Sequence, residues 1–157
     1  MEVILIRHGI AEEHSPTKSD DKRELTKKGI ERLNALFPIF NKQLSSNSMT
    51  RIWSSPLTRA IQTTAILCDH LNINDFEKYP FIATGETSAF LQAIYAQDVR
   101  SRLILVGHEP ILSHWTKQLT GQSITFTKGM ILSIEVADAQ PRLGKINYTL
   151  DPKKELR

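Results

Sequence analysis

Apolar and polar positions follow two rhythms along the chain. "EVILIR" (2–7) is apolar on both faces, the mark of a strand buried on both sides of a sheet. The stretch 15–25 is polar, charged and loop-like. From Thr26 the spacing becomes helical, with Ile30, Leu33, Phe37, Phe40 and Leu44 three and four residues apart. Thr26 is placed to cap this helix, and Pro38 predicts a kink or an early end. The polar stretch "SSNSMT" leads to a short strand at 51–55. A helix follows over 56–71, with Pro56 at its first position and Ser55 as its cap. Residues 72–84 read as irregular, with a weak strand near "YPFIA". A helix over 86–97, an apolar strand over 102–107 and a helix over 109–120 complete the alternating part. "MILSIEV" and "KINYTL" differ in kind: they alternate with period two around "ADAQPRLG", as a half-exposed antiparallel pair does. The tail "DPKKELR" is expected to be solvated.

Strands alternating with helices predict an α/β fold, a three-layer α/β/α sandwich with a largely parallel central sheet and an antiparallel edge. No repeat or break in composition divides the 157 residues, so a single domain over 1–157 is expected. With 40% hydrophobic and 24% charged residues, the composition is that of an ordinary globular protein. The net charge of +3 is too slight to argue for nucleic acid, although it suits an anionic ligand. No apolar run reaches the roughly 18 residues of a membrane helix, and "VILI" is too short for a signal segment. These features predict a cytoplasmic protein with no membrane partner. The single Cys68 cannot form an internal disulfide and reads as a buried structural thiol.

Three predicted strands end alike. The first ends in Arg7-His8-Gly9. The second ends in Ser54-Ser55-Pro56, with Arg59 just beyond. The third ends in Gly107-His108-Glu109-Pro110. Ligands of open α/β sheets bind outside the carboxyl ends of the strands, so parallel neighbours would bring two His and two Arg to one rim. Two guanidiniums can hold the non-bridging oxygens of a phosphoryl group and neutralise charge during its transfer. Helix N-termini after Ser55 and Gly107 would add N–H donors. An imidazole beside such a phosphate can attack phosphorus, and nearby Arg charges would keep it unprotonated. Gly9 would let the backbone approach the phosphate. No metal or other cofactor is required, because Arg and His supply the positive charge.

"LIRHG", "SSPLTRAIQTT" and "VGHEP" resemble, in order, the signature blocks of the histidine phosphatase superfamily, the phosphoglycerate-mutase-like fold. "RELTKKG" (23–29) resembles its R-x-L-T-x-x-G block. The short chain and the direct step from "TGETSAFLQAI" to "RLILVGHEP" resemble its smallest branch, the SixA-type phosphohistidine phosphatases. The resemblance implies that His8 is the nucleophile and that Arg7, Arg59 and His108 complete the phosphate pocket. It also implies a partner, a phosphotransfer or signalling protein carrying phosphohistidine, with phosphate or other oxyanions in the site. Little room remains for the lid of the larger members, so an open pocket suited to a displayed side chain is expected. A small phosphomonoester is the alternative substrate, and an idle phosphoprotein-binding module is the alternative of another class.

Other residues carry two readings each. Glu109 follows His108 where the acid-phosphatase branch has a catalytic Asp, so it either donates a proton or serves as a helix-dipole partner. Glu86 has the same two readings. Arg23 either touches phosphate at the rim or pairs with an acid such as Asp20 or Asp21. His14 lies in a loop near the site and either approaches it or stays solvated. Ser54 and Ser55 read as capping residues, since no G-x-S-x-G elbow surrounds them. Trp53 and Trp115 are expected in the core, His70 and His114 as structural or exposed. Lys27-Lys28 and Lys153-Lys154 are expected as solvated charge.

Overall fold

The computed structural model describes residues 1–46, 49–138 and 143–157. The expected loops at 45–50 and 137–144 therefore lie partly outside the described residues. Six strands form one mixed sheet: β1 (Glu2–Arg7), β2 (Thr50–Ser54), β3 (Glu77–Lys78), β4 (Arg102–Gly107), β5 (Ile131–Val136) and β6 (Gly144–Leu150). Their order is β3-β2-β4-β1-β5-β6. The first four in that order run parallel, while β5 and β6 add an antiparallel edge.

Helices α1 (Lys27–Gln43) and α2 (Thr58–Leu71) cover one face of the sheet, where Leu33, Phe37, Phe40 and Leu67 pack against Ile4, Ile6, Ile104 and Val106. The other face carries α3 (Phe81–Thr84), α4 (Thr87–Tyr95) and α5 (Ile111–Thr120). There Phe90 and Trp115 stack with ring centroids 4.1 Å apart against Val3, Leu5, Leu103 and Leu105. The alternate residues of β1 and β4 thus enter opposite cores, which is why both strands are apolar throughout. A last short helix, α6 (Pro152–Glu155), is capped by Asp151 and buries Pro152. Among the described residues, no helix is long and apolar enough to cross a membrane.

Several local expectations are corrected. Thr26 does cap α1, its Oγ1 accepting from Gly29 N at 3.0 Å, yet α1 runs through Pro38 to Gln43. Helix α2 starts at Thr58 with Leu57 at its cap position, although the Ser55 hydroxyl still accepts from Leu57 N just ahead of it. "YPFIA" contributes the short helix α3, and the weak strand lies earlier, at 77–78. Strand β5 is buried, not half-exposed, since β6 lies outside it and is the true edge. Its polar Ser133 is satisfied by donating to Glu2 Oε2 at 2.6 Å. The tail is partly helical, not simply solvated.

Candidate active site

Parallel register sets the three strand ends side by side, with Arg7 opposite Gly107 and Ser54 opposite Val106. Just beyond them, His8 N donates to Gly107 O and His8 O accepts from Gly129 N, both at 3.0 Å. His8 is thus held in a hydrogen-bonded rim, not in a free loop. A cleft of about 270 Å³ opens there, lined by His8, Arg7, Arg59, Arg23, His108 and Lys128 among others.

The His8 imidazole is 7% exposed. Its Nδ1 lies 2.7 Å from Gly9 O, which accepts and so requires the proton on Nδ1. The Nε2 atom then carries the lone pair, and Arg59 Nε donates towards it at 3.3 Å. Burial pushes the imidazole down to about 3; the Gly9 carbonyl opposes this, while His108, Arg59 and Arg7 add to it. The expected direction is met, but desolvation exceeds the Arg charges as its cause.

His108 faces His8, with ring centroids 5.1 Å apart. Its Nε2 meets Ser55 Oγ at 2.7 Å, and the same oxygen accepts from Leu57 N at 3.1 Å. Burial, then Arg59, holds His108 down to about 4, although Asp20 opposes. Arg7 donates from Nη1 to Phe126 O at 2.8 Å. Arg7 Nε and His108 Nδ1 are buried without a protein partner. Buried polar atoms are nearly always paired, and both nitrogens can donate to an oxyanion.

Arg59 is anchored by the preceding loop. It donates from Nη1 to Asp20 O at 2.8 Å and from Nη2 to Asp20 Oδ2 at 3.3 Å. Arg23 meets the same carboxylate from Nε at 2.9 Å, so the ion-pair reading of Arg23 holds and the residue still lines the cleft. Burial raises the Asp20 carboxyl, but Arg23 and Arg59 outweigh it and hold the group below its usual range. His14 is also at the rim, exposed and 3.5 Å from Asp20 Oδ1.

Glu109 lines the cleft, but its oxygens are engaged. Oε1 accepts from Ser113 N at 2.9 Å, and Oε2 from Phe126 N at 3.2 Å and from the Ser113 hydroxyl. That geometry makes it a brace between α5 and the loop before β5. Glu86 sits exposed at the cap position of α4, and it is not among the residues lining the cleft.

At Gly9 the structure adds a packing constraint to the expected approach to phosphate. A Cβ there would lie 2.9 Å from Leu33 Cδ1, inside the core, and its N–H donates to Thr63 Oγ1 at 3.1 Å. Thr63, one helical turn beyond Arg59, was legible from that spacing alone. The sequence offered Asp20 as a partner for Arg23 but not for Arg59, and Lys128 carried no signal, because only tertiary packing brings its loop to the rim. Among the described residues, no three His, Cys, Asp or Glu side chains are clustered to hold a metal ion.

The profile of the histidine phosphatase superfamily (branch 1) matches residues 3–80. An uncharacterized protein of Picosynechococcus sp. (strain PCC 7002) is 30% identical over 147 residues, spanning 89% of this chain and 88% of that protein. The fold is similar to that of the protein histidine phosphatase SixA complexed with tungstate. The TM-score is 0.81, with 25% identity and 98% of each chain covered. A structure from Agrobacterium tumefaciens, described as a candidate SixA phosphohistidine phosphatase, has the same TM-score of 0.81. It is 20% identical, covering 96% of this chain and 97% of that one.

Proposed function

The chain belongs to the histidine phosphatase superfamily, and from that premise we propose that it hydrolyses phosphohistidine on a protein through a phospho-His8 intermediate. The observation that carries this reading is the His8 geometry. Its Nδ1 proton is spent on Gly9 O, so the Nε2 lone pair faces a cleft bearing Arg7, Arg59 and Arg23. That the similar SixA structure is a complex with tungstate supports the reading that this chain, too, takes an oxyanion.

In the first step Nε2 of His8 attacks phosphorus and the P–N bond of the substrate breaks. Arg7 and Arg59 hold the non-bridging oxygens and offset the charge that grows on them. His108 Nδ1, otherwise unpartnered, donates to a third oxygen. In the second step water attacks phosphorus, the bond to Nε2 breaks, and inorganic phosphate leaves with His8 restored. A phosphohistidine can carry a proton on its second ring nitrogen, so its imidazole departs neutral without an enzyme acid. That chemistry suits a site where Glu109 is engaged by three donors. An alkoxide leaving group of a phosphomonoester would need a proton from elsewhere.

The test is rapid acid-free quenching of the protein with labelled phosphohistidine, beside a panel of phosphomonoesters, all without added metal. Label is expected on His8, and His8→Ala should lose turnover by at least about a thousandfold. Wild-type rates in His8→Ala would overturn the mechanism. Faster hydrolysis of a phosphomonoester would transfer the assignment to a small-molecule substrate. Binding without turnover or label would identify a phosphoprotein-binding module.

A further inference from the structure

A second cavity of about 630 Å³ adjoins the cleft and shares Arg7 and Lys128 with it. Its rim is cationic: Lys28 and Arg32 from α1, Lys128 from the loop before β5, and Lys153 from α6 join Arg7. Among the described residues, no Asp or Glu lines it. Ile10, Phe126 and Pro152 contribute apolar surface. Five of the chain's 20 Lys and Arg thus surround one groove in a protein of net charge +3.

Such crowding of like charge costs energy unless something answers it. Some cations outside the groove are paired, Lys18 with Glu12 and Glu24, Arg23 and Arg59 with Asp20, Arg102 with Glu2, while others such as Lys42 and Lys117 stand singly among the described residues. Among the described residues, Lys28, Arg32, Lys128 and Lys153 have no carboxylate within salt-bridge distance. Asp151, next to the groove, turns its Oδ1 to the Thr127 hydroxyl at 2.7 Å and to Lys153 N at 3.0 Å and makes no ion pair with the groove's cations. Lys28 and Arg32 stand one helical turn apart on the same face of α1, so both address the groove together. Solvated charge on one helix does not explain cations converging from three separate elements.

We propose that this groove docks an acidic segment of the phosphoprotein substrate, the residues that flank the phosphorylated side chain; the assignment rests on the phosphoprotein reading above. Continuity argues for it. A phosphoryl group held between Arg7 and His8 leaves its parent chain beside Lys128, at the mouth of the groove. The lining calls for carboxylates at the rim and an apolar side chain over Ile10, Phe126 and Pro152. A peptide of alternating acidic and apolar residues supplies both, whereas a bare polyanion leaves the apolar surface unmatched. Charge of this kind chiefly accelerates encounter and sets partner choice.

The experiment uses the full chain and two fluorescent, unphosphorylated peptides of equal length. One alternates Glu with Leu, and the other has Gln in place of Glu. Anisotropy is expected to show the acidic peptide bound about tenfold more tightly, what three exposed charge contacts supply together. Lys28→Gln/Arg32→Gln/Lys153→Gln should erase the difference, and added salt should erase it in the unaltered protein, where folding is not in question. Equal binding of the two peptides, or a preference that survives both changes, overturns the proposal. So does binding of a nucleoside diphosphate at the groove with the acidic peptide ignored. Hydrolysis of free phosphohistidine, which reaches only the cleft, is measured in parallel and should persist in the triple variant. Its absence from the unaltered protein would count against phosphohistidine hydrolysis, while the peptide result would still judge the groove.

Discussion

At the scale of single residues, burial decides what the two histidines can do. An imidazole in the unfolded chain takes up its proton near pH 6.5, whereas His8 does so at about 3 and His108 at about 4 in the folded protein. In the proposed mechanism His8 therefore acts as a neutral nucleophile across the physiological range, with no base needed to deprotonate it. Titration of the free protein by NMR should show no change in the His8 ring signals between about pH 5 and 8. A transition near 6.5 would contradict the burial argument. The same depression has a stability consequence. Between pH 6.5 and these lower values the unfolded state binds more protons than the folded one, so stability rises with pH there. The contribution is fully present above about pH 6.5 and is lost as pH falls towards 4 and then 3. In urea melts at pH 7 and pH 4.5, His8→Gln/His108→Gln should lose less stability on acidification than the unaltered protein.

At the scale of elements, the proposed nucleophile is positioned by how α1 docks. Thr26 N donates to Ile10 O at 2.9 Å, and the Thr26 hydroxyl meets the same oxygen at 3.3 Å. A Cβ on Gly29 would lie 2.2 Å from Ile10 O, a contact with backbone that no side-chain motion relieves. The block "RELTKKG" is thus the seat of α1 on the segment directly after His8-Gly9. Gly29→Ala should push the two apart, destabilising the fold by about 1–3 kcal/mol and lowering kcat more than KM. Urea denaturation and steady-state kinetics check both effects, and an Ala variant with unaltered kcat would remove the positioning role. This seat was visible in the sequence as a motif, but its reason was not. The apolar strands were legible because both faces are buried, and with them the strand ends bearing Arg7, His8 and His108. The brace role of Glu109, the Asp20 clamp on Arg59 and the groove face of Lys28 and Lys153 were not. Each depends on where a loop or second element lies, which neither periodicity nor charge count encodes.

At the scale of the whole molecule, the two ends of the sheet divide the work. The carboxyl ends of β1, β2 and β4 hold the cleft, whereas their amino ends close over a buried ion pair. Glu2 and Arg102 are register partners there, joined from Arg102 Nε to Glu2 Oε1 at 2.7 Å. Arg102 also donates to Ser45 O, Ser45 Oγ and Thr50 Oγ1, while Ser133 Oγ and the C-terminal residues of β5, with Glu135 opposite Glu2, close the other side of Glu2. The cation thus ties four strands' surroundings together at the opposite end of the six-residue β4 from the cleft. Sequence periodicity registers Arg102 only as the first residue of an apolar strand, since burial of a strand-opening Arg is decided by its neighbours. Removing one member of a buried pair strands the other, so Arg102→Met should cost roughly 3 kcal/mol. Glu2→Gln added to Arg102→Met removes the stranded carboxylate and should recover part of that loss. Because the pair touches neither cleft nor groove, kcat of either variant below its melting range should match the unaltered protein. Denaturant midpoints together with kcat decide the matter: a drop in kcat without a drop in stability would mean the two ends of the sheet are coupled.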